Sequence, residues 1–100
     1  MTWAYVQTHA TASGLAAYDA IAAELGDEPP AGRLCHVTGL VDGRLRVIEV
    51  WETEEAFRRF REERLRPAMD RAVGRGAFDE RWPPDGLEPM DVHTLVIGSS

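Results

Sequence analysis

The 100-residue chain has no lysine, no asparagine and one cysteine, and nowhere a long apolar run. Each shortage excludes something. With Cys35 alone there is no intrachain disulfide and no thiolate-rich metal site built by one chain, and a reducing, cytoplasmic setting is the simplest one. No stretch approaches the roughly 18 apolar residues of a membrane span, and the start, MTWAYVQTHATASG, lacks the basic region and apolar run of a secretory leader. The chain reads as soluble and unprocessed apart from Met1. All 11 basic residues are arginine, set against 17 acidic ones, for a net charge of −6. That balance is the opposite of a nucleic-acid binder's and gives anionic membranes nothing to attract. Without a GxGxxG run or a phosphate loop, no nucleotide cofactor is expected. His9 and His93 show no HxH or HxxxH spacing, so no metal is expected either.

One hundred residues make a single domain, 1–100, able to bury roughly two thirds of its unfolded surface. Residues 3–9, WAYVQTH, are aromatic and β-branched and read as a strand. Leu15, Tyr18, Ile21, Ala22 and Leu25 recur at helical spacing across 14–25, with Thr11 or Ser13 as the cap and Gly26 as the stop. Strands at 33–41 and 44–52 flank Asp42-Gly43, a pair suited to the positive φ angles of a two-residue turn. Thr53 caps a second helix that runs to about residue 73, bent near Pro67. Residues 74–88 are irregular, with Phe78 and Trp82 packing the segment down, and 90–98 form the last strand. The order β α β β α β is that of an α+β, ferredoxin-like domain: an antiparallel sheet with two helices on one face.

A two-residue turn makes opposed hairpin residues sum to 85, so His36 faces Glu49 and Leu34 faces Trp51 on one side. Thr38 with Val47 and Leu40 with Leu45 continue that side. Cys35, Val37 and Gly39 face Val50, Ile48 and Arg46 on the other. Both sides are largely apolar, while two helices cover only one. Several hundred Å² of apolar sheet is then left open, which isolated monomers rarely tolerate. A second copy packed face to face covers it, so a homodimer is expected.

The histidine strand, the Asp-Gly turn and VIEVWETEEAFRRFREERLRPAM, above all Val50 to Phe60, resemble the dimeric α/β-barrel superfamily and, within it, the small antibiotic-biosynthesis-monooxygenase-like proteins. The resemblance covers 33–70 well and the rest by element order. It implies a homodimer with a pocket between sheet and helices. The activities it implies include cofactor-independent oxygenation of aromatic compounds, haem degradation, isomerisation and dehydration. A chain without asparagine departs from the haem-degrading and several oxygenating relatives, which use one.

Against that background His36 and Glu49 are the candidate catalytic pair, since a carboxylate orients an imidazole and fixes its tautomer for proton transfer. Their other reading is a polar pair closing the dimer seam, and alternation along the strands does not separate the two. Trp51 is a candidate stacking surface for a flat substrate or else plain core. Arg64, four residues after Phe60, falls within the apolar stripe of its helix and reaches an anionic substrate group or Glu49, or snorkels to solvent. Tyr18, and likewise Tyr5, lends a hydroxyl to the pocket or packs in the core. Cys35 points away from His36, so the two make no nucleophilic pair. Two functions stay open: a cofactor-free enzyme acting on a hydrophobic, partly aromatic small molecule, and a non-catalytic ligand-binding or structural dimer.

Overall fold

The computed structural model describes residues 2–9 and 14–98. In chain order the elements are β1 (Trp3–Thr8), α1 (Gly14–Leu25), β2 (Arg33–Val41), β3 (Arg44–Trp51), α2 (Glu54–Phe60), a π-helical stretch (Arg61–Leu65), α3 (Arg66–Val73) and β4 (Leu87–Asp91). The fold is α+β, with one antiparallel four-stranded sheet in the order β2-β3-β1-β4, compatible with a ferredoxin-like arrangement. Thr11 and Ser13, the expected cap of α1, lie outside the described residues.

The hairpin turns where the chain chemistry demands it: Asp42 and Gly43 take φ of 51° and 76°, values that match the twist of the flanking strands. From there the expected register runs through His36 opposite Glu49 to Cys35 opposite Val50. It then breaks. A bulge between Arg33 and Cys35 sets Arg33, not Leu34, opposite Trp51, and Leu34 is left exposed. The expected Leu34–Trp51 pair is thereby corrected.

Thr53 caps α2 as expected, extended at φ −147°, its hydroxyl accepting the Ala56 N–H at 3.0 Å. Thr53→Ala is expected to lower stability by about 1 kcal/mol, read from the urea midpoint at unchanged slope. Just before Pro67, where a bend is expected, the chain takes a π-helical turn in which the Arg66 N–H reaches back five residues to Arg61 O. A proline ring crowds the carbonyl four residues back, and the wider turn relieves that crowding without ending the helix.

Both helical layers pack on the sheet face that carries Trp3, Tyr5, Leu45, Val47 and Trp51, and Phe57, Phe60 and Leu87 complete the core cluster. Leu87 also explains where the last strand falls. Its side chain is buried, which registers 87–91 against β1 from Gln7 back to Trp3. Pro89 is tolerated because β4 is an edge strand. The expected strand at 90–98 is corrected accordingly: β1 is only six residues long, and 92–98 belong to no strand. Val96 and Ile97 there are 84% and 69% exposed. On the sheet face away from the helices, Val37, Ile48 and Met90 are exposed as well. No helix among the described residues is long and apolar enough to cross a membrane.

Candidate functional site

One row across three strands makes the site. Tyr5 of β1 stands opposite Glu49 of β3, and Glu49 stands opposite His36 of β2. All three lie on the face that the helices cover, so the polar pair looks into the fold and not toward a second sheet. Glu49 is buried and acceptor-only as a carboxylate, and it is surrounded by donors. Its Oε1 takes the Trp51 indole N–H at 3.0 Å. Its Oε2 takes His36 Nδ1 in a short hydrogen bond and one Arg33 guanidinium N–H at 3.4 Å. The Tyr5 hydroxyl also faces this carboxylate. Burial first, and then Glu49, push the Tyr5 phenol well above its ordinary range, so it keeps its proton and donates.

Because Glu49 accepts, Nδ1 of His36 carries the hydrogen, and Nε2 of a neutral imidazole is an acceptor. Two hydroxyls meet it: Tyr18 from α1 at 2.5 Å and Thr38 from β2 at 3.0 Å. The Tyr18 and His36 rings stack, 14° from parallel. The result is an oriented relay, Glu49 to His36 to Tyr18, in which the carboxylate can balance an imidazolium and the phenol can give or take a proton. The His36 side chain is 26% exposed.

What it opens onto is a cavity of about 640 Å³ between the sheet and the helices, within the range of drug-sized ligand sites. Tyr18, His36 and Glu49 line it together with apolar residues such as Ile21, Val47 and Phe60. Among the described residues no group of three or more histidine, cysteine, aspartate or glutamate side chains gathers to hold a metal ion.

Of the expected site residues, His36, Glu49 and Tyr18 come together, and two others go elsewhere. Trp51 is fully buried, edge-on to Phe57 at 5.4 Å and against Phe60 at 5.3 Å. The expectation that it stacks on a substrate is corrected: its ring is core, and only its N–H serves the site. Arg64 lines the cavity, but its guanidinium donates to Leu25 O, at the end of α1, at 3.3 Å and to Glu28 O, in the loop that follows, at 3.0 Å. It does not pair with Glu49. Arg33 and Thr38 were not singled out from the sequence. The bulge brings in Arg33 and carries no clear sequence signal, whereas Thr38 is signalled by its place two residues after His36 on the same strand face.

The far wall is the 77–85 segment. Arg61 is buried and donates to the carbonyls of Asp79 and Arg81, with its guanidinium over the Phe78 ring at 4.2 Å. Arg81 in turn holds Asp79 and Asp85. The Asp79 carboxyl is drawn down from 3.8 to about 2 by its hydrogen bonds to Arg81. A carboxyl depressed by folding stabilises fully above its unfolded value and loses that stabilisation as pH falls through its folded one. Wild type is therefore expected to lose stability between about pH 4 and 2 more steeply than Asp79→Asn, measured as urea midpoints at each pH.

No protein-family model matches the chain, and no curated protein matches it.

Proposed function

We propose that the protein is a cofactor-independent, proton-transferring enzyme acting on a hydrophobic, partly aromatic small molecule, of the monooxygenase or isomerase kind. The observation that carries this reading is the carboxylate-anchored His36 meeting the Tyr18 phenol on the wall of an apolar cavity. In the proposed cycle His36 Nε2 takes a proton from an enolisable or phenolic position, and Glu49 balances the imidazolium. Protonated Nε2 no longer accepts, so the Tyr18 O–H turns from the imidazole to the oxyanion that has formed. The substrate anion then either takes the proton back at another carbon or passes one electron to dioxygen. In the second case the radical and superoxide join at a C–H carbon as a peroxide, which takes the proton from His36 and loses water to leave a carbonyl.

A second reading has its own support. Nε2 already has two hydroxyl partners without any substrate, so the same residues suit a non-catalytic ligand-binding protein. The two separate on 1-naphthol in D₂O, with deuterium entry at the ring carbons followed by NMR. The enzyme reading expects faster exchange with wild type and a fall of about 100-fold or more in His36→Gln and Tyr18→Phe. Binding without accelerated exchange would favour the second reading, and exchange indifferent to both substitutions would sink the first.

The reading includes a homodimer, in which two ferredoxin-like sheets close as a dimeric α/β barrel, as the resemblance of Val50 to Phe60 implies. Exposed Val37, Ile48 and Met90, with Val96 and Ile97 beyond β4, supply the surface for a second copy. Light scattering at micromolar concentration is expected to give twice the 11.1 kDa chain mass. A monomer there removes this part. A reducing, cytoplasmic setting, in keeping with the free Cys35, belongs to the same proposal.

A further inference from the structure

The cavity has a second polar end that the proton-transfer row does not use. Alternate residues of β1 face the helices, and the series Trp3, Tyr5, Gln7 continues to His9 just beyond the strand. Gln7 and His9 both line the cavity. Gln7 stands between Val47 and Leu87, and the His9 N–H donates to Leu45 O at 2.9 Å, which places His9 level with Leu45. Leu45 lies four residues before Glu49 on β3, so the two ends are roughly 13 Å apart along the strands. They are offset by a further ~10 Å across, because β3 runs between β1 and β2. The ground between them is apolar: Leu45, Val47, Phe60 and Leu87 are all buried.

We infer that Gln7 and His9 form a distal subsite, and that the cavity takes an elongated apolar molecule with a neutral hydroxyl or carbonyl seated there and its reacting proton at His36. This rests on the proposed function and adds the shape and polarity of the substrate. A glutamine amide and a neutral imidazole each offer one donor side and one acceptor side, which suits a hydroxyl or a carbonyl. Burial holds His9 below its ordinary pKa, so it carries no charge for an anion to seek. Asp79 and Asp85 also line the cavity, from the 77–85 segment, and disfavour an anion further, since Arg81 is taken up by both of them. Subtracting one hydrogen bond at each end from the diagonal leaves a ligand span of roughly 10 Å. A site that offers hydrogen bonds to a hydroxyl rejects the analogue lacking it, since its own polar groups then go unpaired.

The test compares 4-hydroxybiphenyl with 4,4′-dihydroxybiphenyl, two rods that differ only in the second hydroxyl, by calorimetric titration of the full chain. Wild type is expected to prefer the dihydroxy compound by about tenfold. Gln7→Leu/His9→Leu brings that ratio close to one, and Gln7→Leu/His9→Gln, which restores a donor and an acceptor, recovers part of it. Amide NMR spectra of each variant show whether the fold is kept, and the ratio is read only on folded protein. Equal affinity for the two rods in wild type, or a preference that survives the leucine pair, overturns the distal subsite. If in addition both rods bind and Tyr18→Phe weakens both, the His36–Tyr18 site on which the proposed function rests stands while the subsite falls. If neither rod binds wild type, the cavity reading and the subsite fall together.

Discussion

Phe57→Ala is expected to cost about 3–5 kcal/mol, as much as a buried aromatic truncation does. The Phe57 ring is the hub of the aromatic cluster. It stacks on Trp3 at 5.3 Å, meets Tyr5 at 4.8 Å and Trp51 at 5.4 Å, and reaches Trp82 at 5.9 Å. It is 2% exposed, so truncation leaves a void that four rigid rings fill poorly. Small domains have only about 5–15 kcal/mol in total, so this one truncation removes a large fraction of the stability. Phe57→Leu keeps much of the volume and is expected to cost less than half as much. The check is the urea midpoint for each variant at constant slope. A loss below about 1 kcal/mol for alanine contradicts the placement of Phe57 at the centre of the packing.

Glu49→Leu comes next, at about 2–4 kcal/mol, for an electrostatic reason. The leucine fits an apolar neighbourhood, yet it strands the Trp51 N–H, the Tyr5 hydroxyl and a share of the Arg33 charge under the helices. Unpaired buried donors cost more than a formed hydrogen bond contributes, so the change is worse than the loss of one contact suggests. Adding Trp51→Phe removes one stranded donor. The double variant is therefore expected to be more stable than the sum of the two singles by at least about 0.5 kcal/mol. Strict additivity in that cycle argues that the indole N–H and the carboxylate act independently, against the 3.0 Å contact. The same cycle bears on function, because Trp51 holds one carboxylate oxygen and thereby leaves the other for His36.

Tyr18 ties the two halves of the site together. It rides on α1 while its partners belong to the sheet, so proton transfer at His36 depends on how α1 is held. Arg64 holds it from the π-helical stretch by capping the carbonyl of Leu25, and an ion pair joins Arg71 of α3 to Glu24, the residue before Leu25. Exposed pairs of that kind contribute little on their own. The Arg64 contact is the stronger of the two, because it satisfies the Leu25 carbonyl at the helix end, which has no partner within α1.

The sequence by itself determined what is local. The Asp42-Gly43 turn counts out the register that opposes His36 and Glu49, and the Thr53 hydroxyl starts the second helical run where the spacing says it should. These features hold because a two-residue turn and a cap act through backbone geometry a few residues wide. The tertiary structure decided everything that needed a distant partner. Alternation along β2 and β3 encodes two faces without saying which one the helices cover, and it was Tyr18 on α1 that identified the His36 face as the inner one. Pairing of β1 with β3 brought Tyr5 to Glu49 from 44 residues away, a juxtaposition no spacing in the chain announces. The bulge at Arg33–Cys35 exchanged Leu34 for Arg33 beside the carboxylate, and the closing of the aromatic core turned Trp51 from a candidate ligand surface into a buried donor. Side-chain periodicity fixes direction relative to the chain's own axis, whereas a site is made by the packing of several axes, and that is settled only when their apolar faces compete for the same core.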